Sequence, residues 1–171
     1  MAEKAGITVD QMNEEARVRL IDGLENKGAH LSFEDAVRDF PEALMNEKPP
    51  HVPYTFWHQI EHIRRTQEDM LHYIQDPSYV APEWPRDYWP DQSATTDRKG
   101  WDETIRKYLA DRKTFVDLVG DPTTNLLAPV KRLNNRSVLR CALIVIDHTA
   151  YHLGELVMGR QILGAWKSEL G

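Results

Sequence analysis

The stretch Asp-His-Thr-Ala-Tyr-His-Leu-Gly-Glu at residues 147–155 is the most informative part of this sequence, because it places two imidazoles four residues apart inside an apolar segment. The surrounding apolar residues recur at helical spacing, and side chains at i and i+4 of a helix share one face. His148 and His152 are therefore predicted to lie side by side, with Cβ atoms roughly 5–6 Å apart. Two neutral imidazoles so placed can bind one metal ion, with Zn–N bonds of about 2.0–2.1 Å.

Four long segments have the period of an amphipathic helix. The predicted helical ranges are 8–27, 55–75, 97–119 and 137–163, with a short helix after Ser32. Thr55 is a good N-cap for the second long helix, whereas Gly28 and Gly164 are placed to end the first and the fourth. No alternating apolar and polar run predicts a strand. We therefore predict an all-α four-helix bundle, with connections long enough for a crossed topology.

Composition narrows the class of protein. The chain has 171 residues, which fits one domain over residues 1–171, and its net charge of -6 argues against a nucleic-acid partner. The single Cys141 excludes an internal disulfide and is predicted to be a small apolar helix residue. The first ten residues contain no apolar core of a secretory signal, and no apolar run approaches the ~18 residues of a membrane span. We expect a cytoplasmic protein without a membrane partner.

The second long helix offers two candidates for a third imidazole ligand. By helical phase, His62 lies nearer the apolar side than His58, but the margin is small and phase alone does not choose between them. Three imidazole ligands would leave at least one coordination position open, as in catalytic metal sites. Imidazole is not selective, so Zn, Ni, Fe and Mn all fit. The sequence lacks the Glu after His148 that a zincin needs, and it lacks the paired Glu-x-x-His motifs of a di-iron bundle.

Glu155 lies on the same row of the fourth helix as the two imidazoles. It is predicted either to orient a ligand imidazole or to accept a proton as a catalytic residue, with a solvated carboxylate as the alternative. Gly154 and Gly159 are poor helix formers, which indicates close packing or room for a ligand, although fraying also explains Gly159. Asp147 and Tyr151 adjoin the imidazoles but are expected to point elsewhere by phase.

Residues 81–92 combine three prolines with two tryptophans and a tyrosine. Three fixed φ angles exclude a helix, and so much aromatic area is unusual in a solvated linker. We expect a rigid strap packed across the bundle, or a lid over a substrate pocket. We call residues 81–92 the strap.

The sequence resembles the DinB-like superfamily of small metal-binding helical bundles. Three pieces carry the resemblance: residues 54–64, residues 83–90 in the strap, and residues 147–155 with Gly164-Ala165-Trp166 after them. The resemblance implies a four-helix bundle with an up-down-down-up connection and often a homodimer. It implies a three-histidine site for a divalent transition metal, foremost Zn or Ni, at positions that match His62, His148 and His152. His30 lies in a further similar stretch and is not assigned as a ligand.

The resemblance implies several functions. Similar proteins include thiol-dependent S-transferases, a mycothiol-dependent isomerase and a probable metal-dependent hydrolase. The first hypothesis is a transferase whose metal binds a low-molecular-weight thiol as one of its small-molecule substrates. The second is a hydrolase whose metal activates water. The third is a bundle that binds a metal, a small ligand or a partner without catalysis.

Overall fold

The computed structural model of the protein describes residues 8–130 and 136–166. The prediction that the chain begins without a secretory signal rests partly on residues 1–7, which lie outside those ranges. The helices are α1 at Val9–Leu24, α2 at Phe33–Val37, α3 at Phe56–Gln75, α4 at Arg98–Gly120 and α5 at Val138–Ile162, with 3₁₀ turns at Glu42–Leu44 and Arg86–Tyr88. No strand forms within the described ranges, which confirms the predicted all-α class. None of the helices found there combines the length and apolar composition needed to cross a bilayer.

Side-chain caps fix where the helices begin. Thr55 and Ser32 accept hydrogen bonds from the backbone N–H groups three residues later, as predicted, and Asp97 and Ser137 cap α4 and α5 in the same way. The predicted end of the first helix at Gly28 is wrong, because α1 already ends at Leu24. The chain turns instead at Asn26, which takes a positive φ of 56°. Asn tolerates this left-handed conformation better than most residues, so it replaces glycine as the signal that ends the helix.

Two core clusters show how the long helices are oriented. In the first cluster, the amino-terminal halves of α3 and α4 pack against the carboxyl-terminal half of α5. In the second cluster, the carboxyl-terminal halves of α3 and α4 pack against the amino-terminal half of α5. Therefore α3 and α4 run in the same direction, and α5 runs against both. Arg17 in α1 donates to the carbonyl oxygens of Val119 and Thr124 at the carboxyl-terminal end of α4. Farther along the chain, Phe33 at the start of α2 stacks on Tyr108 in the middle of α4, so α1 runs in the direction opposite to α4. The chain thus runs up, down, down and up, which is the crossed bundle that was predicted.

Helix α3 is buried on its polar side as well as along its apolar stripe. Fourteen of its 20 residues are buried, including Glu61, which faces α4 and accepts a hydrogen bond from the Thr104 hydroxyl. Glu61 accepts hydrogen bonds from Arg64 and Arg65, and these charge-assisted bonds compensate its removal from water. The Glu61 carboxylate is therefore bound to protein groups rather than to solvent.

The strap packs across α3, as the first of its two predicted roles requires. Arg65 donates to the carbonyl oxygens of Asp87 and Trp89, and the Tyr88 hydroxyl donates to Asp69 at 2.7 Å. Within the strap, the expectation of no helix holds apart from the single 3₁₀ turn at Arg86–Tyr88. These bonds fix the strap backbone directly beside His62 of α3.

Candidate metal centre

Three imidazoles converge where α3 and α5 pack together. His62 comes from α3, and His148 and His152 come from α5; their ring nitrogens all lie within 4.8 Å of one another. The Nε2 atoms of His62 and His148 are 3.0 Å apart. Two nitrogens bound to the same zinc ion lie about 2.9 Å apart at a right angle and about 3.3 Å apart at the tetrahedral angle. The donor set and the spacing of His62 and His148 therefore fit a divalent transition metal, and metal binding by these residues stays a prediction.

The strap fixes the orientation of the His62 ring. Nδ1 lies 2.9 Å from the carbonyl oxygen of Tyr88, and a carbonyl can only accept, so Nδ1 carries the proton. The indole of Trp89 stacks on the same ring, with 3.8 Å between centroids and 9° between planes. With Nδ1 protonated, Nε2 presents its lone pair to the centre, which is the arrangement that ligand histidines commonly show.

Glu155 fixes the His152 ring in the same manner. His152 Nδ1 donates to Glu155 Oε2 at 2.8 Å, so Nε2 of His152 is the nitrogen left for a metal. The same carboxylate accepts from the Tyr54 hydroxyl at 2.9 Å and from Gln59 Nε2 at 3.0 Å, and it also hydrogen-bonds Tyr151. These contacts place Glu155 behind a predicted ligand. The orienting role predicted for it has direct geometric support, and its catalytic role stays a prediction.

Burial keeps the three imidazoles neutral at physiological pH. Desolvation lowers the pKa of His62 to about 4, with the bond to Tyr88 opposing it in part. Desolvation and the neighbouring imidazoles lower the pKa of His148 to about 3, and desolvation also lowers the pKa of His152. Burial raises the pKa of Glu155, but hydrogen bonds from His152, Tyr54 and Tyr151 outweigh it and hold that pKa below its usual value. Neutral imidazoles beside a carboxylate are the protonation states that a cation site requires.

The structure distinguishes between the two candidate histidines of α3. His58 is also buried, which helical phase did not predict, because residues near Ala94 cover it. Its Nδ1 accepts from the Thr55 N–H at 3.5 Å, and its Nε2 lies 2.8 Å from the Ala94 carbonyl oxygen. Both nitrogens of His58 are engaged in capping and packing, whereas His62 retains one for the centre. His30 is exposed, with its Nδ1 beside the Leu31 carbonyl oxygen.

A cleft of about 1040 Å³ opens over the three imidazoles. Its walls come from the strap and from the outer flank of α5; its lining residues beyond the imidazoles are Trp84, Trp89, Arg140, Leu143, Ile144, Ile146, Asp147, Ala150 and Tyr151. Asp147 and Tyr151, which helical phase places away from the imidazoles, both border this cleft because its wall includes the outer flank of α5, and Tyr151 also hydrogen-bonds Glu155. Small molecules can thus approach the centre from solvent.

Sequence reasoning missed the residues that hold the predicted ligands. Gln59 precedes His62 by one helical turn, so the i, i+3 spacing was an available signal for its position beside the centre. Tyr54 lies just before the start of α3, where no periodicity applies. The Tyr88 carbonyl is a backbone group that every residue possesses, so no sequence signal identifies it.

Comparisons with known proteins identify the family of the chain. No curated protein and no solved structure matches the chain. A family model described as the DinB superfamily matches residues 29–156, a span that includes all three imidazoles, Glu155 and the strap. The chain belongs to the DinB superfamily.

Proposed function

We propose that the protein is a metal-dependent transferase that joins a low-molecular-weight thiol to a small electrophile at the three imidazoles. The observation that carries this proposal is that the converging nitrogens lie at the floor of an open cleft. His62, His148 and His152 would hold a divalent transition ion such as Zn²⁺ or Ni²⁺, which would stabilise the thiolate form of a thiol. In the transfer, a carbon–sulfur bond forms, the leaving group departs with its electron pair, and the thiol proton goes to solvent.

The residues around the centre orient the imidazole rings and exclude water from one side of it. The Tyr88 carbonyl and Glu155 fix the rings of His62 and His152, so little rearrangement accompanies metal binding. Trp89 covers one face of His62 and stacks on Tyr54 at 4.6 Å between centroids, which excludes water from that side. Because that side is covered, we expect a reacting group to reach the imidazoles from the cleft.

The engagement of Glu155 favours a thiol over water as the nucleophile. Its Oε2 already accepts from His152, Tyr54 and Gln59, so it is poorly placed to take a proton from a substrate. A thiol has a pKa of about 8.5, against about 15.7 for water, and therefore needs less help to ionise. Hydrolysis remains the competing function, and it is tested in the same experiment.

The test measures metal content and transfer in the same protein. Zinc-loaded protein should contain about one ion per chain by elemental analysis and should form thioether from glutathione and 1-chloro-2,4-dinitrobenzene above the spontaneous rate. His148→Ala should lose both properties, because it removes one of three ligands from the centre. The matched control His30→Ala replaces an exposed histidine and should keep both.

Three other results would contradict the proposal. Full zinc content and transfer in His148→Ala would reject the ligand assignment. Cleavage of activated esters without thiol, and no thioether formation, would support the hydrolase hypothesis instead. A tightly bound metal with neither activity would support a binding protein.

A further inference from the structure

The cleft carries large side chains with exposed apolar surface in addition to the three imidazoles. Trp84 is 65% exposed, Tyr151 is 64% exposed and Leu143 is 44% exposed, and all three line the same cleft. Apolar side chains grouped at a concave surface commonly mark a ligand site. Two of these side chains are aromatic, so a flat apolar body would find rings to stack on.

Charge is distributed unevenly along the α5 wall of this cleft. Arg140 lines it eight residues before His148, which corresponds to about 12 Å along a helix. Arg140 is exposed, and among residues 8–130 and 136–166 no carboxylate forms an ion pair with it. Asp147 lines the cleft immediately beside His148. Without a metal ion the wall is therefore positive at its far end and negative beside His148, and a divalent ion at the imidazoles would make that end positive as well.

We propose that the cleft binds a small molecule with a flat apolar body and a single carboxylate, which Arg140 holds about two helical turns from His148. The inference rests on the proposed function, since the reacting end is taken to lie over the three imidazoles. A neutral apolar molecule satisfies Trp84 and Leu143 but leaves Arg140 without a partner. A molecule with its carboxylate at the metal end would occupy the coordination position that the thiol needs and would leave Arg140 without a partner. The cleft therefore selects a ligand both by its apolar body and by the position of its carboxylate.

The experiment compares two ligands of the same shape and different charge. Biphenyl-4-carboxylate and biphenyl-4-carboxamide are titrated into the zinc-loaded full chain by calorimetry. The carboxylate should bind more tightly, and Arg140→Gln should weaken it by up to about 5-fold, because an ion pair at an exposed arginine is worth up to about 1 kcal/mol. The carboxamide should change by less than about 2-fold.

Two control variants separate charge from shape. Trp84→Ala should weaken both ligands similarly, since both lose the same stacking surface. Arg106→Gln removes an exposed arginine that pairs with Glu103 on α4, outside the cleft, and should change neither affinity.

The inference is overturned by equal affinity of the two ligands in the unaltered protein, or by no binding of either. Sedimentation measures whether the protein forms a dimer. The inference is also overturned if the affinity for the carboxylate falls as the dimer forms, because a second copy of the chain then covers the cleft. Binding that depends on Arg140 without any thioether formation would reject the proposed transferase and retain this site. Thioether formation with binding that does not depend on Arg140 would retain the transferase and reject this site.

Discussion

The neutral imidazoles of the centre should make the metal-free protein sensitive to acid. Burial lowers the pKa of His62 to about 4 and that of His148 to about 3, whereas both have a pKa of about 6.5 in an unfolded chain. The unfolded state therefore binds more protons below pH 6.5, so stability is present above that pH and is lost as pH falls towards the folded values. Between pH 7 and pH 5, each histidine should reduce the free energy of unfolding by about 2 kcal/mol, or about 4 kcal/mol for the pair.

Urea unfolding of chelator-treated protein, followed by circular dichroism, measures this loss. Working at pH 5 and above keeps most carboxylates ionised, so the acidic groups with lowered pKa values contribute little. His148→Gln removes one titrating group and should reduce the loss by about 2 kcal/mol. His30→Gln alters an exposed histidine and should show the full loss. The reasoning is refuted if His148→Gln and the unaltered protein lose the same stability over this range.

Three further predictions follow from individual contacts. Glu155→Gln should weaken zinc binding about 10- to 100-fold in a chelator competition, because it removes the charge that orients His152, whereas the exposed Glu14→Gln should not. Gly159→Ala should lower the free energy of unfolding, measured in urea, by about 1–3 kcal/mol, because its Cβ would lie 2.8 Å from Phe56 Cε1. Gly154→Ala should raise it by up to about 1 kcal/mol, because its Cβ would meet nothing within 4 Å and Ala is the better helix former. Cys141 is buried with its pKa raised to about 11 by desolvation, so Ellman's reagent should react with it quickly only after denaturation.

The helices were predictable because their signals are local. Thr55 and Ser137 carry the hydroxyl that an N-cap needs, and the apolar residues after each keep helical spacing, so both starts agree with the structure within a residue. The end of α1 was misplaced because two residues competed for one role. Asn26 and Gly28 both permit a positive φ, and the packing of Asn26, which is 5% exposed, places the turn there. A choice made by tertiary packing has no local signal.

The same limit explains why helical phase did not identify the third imidazole. Phase measures angle from the apolar stripe, and it assumes that the opposite face meets water. Here residues near Ala94 bury His58 and the strap buries His62, so both are inside and the assumption fails. What separates them is which ring nitrogen remains unengaged, and backbone carbonyls decide that. Since every residue has a carbonyl, a metal ligand in this bundle is selected by how the connection folds over α3, which periodicity alone does not encode.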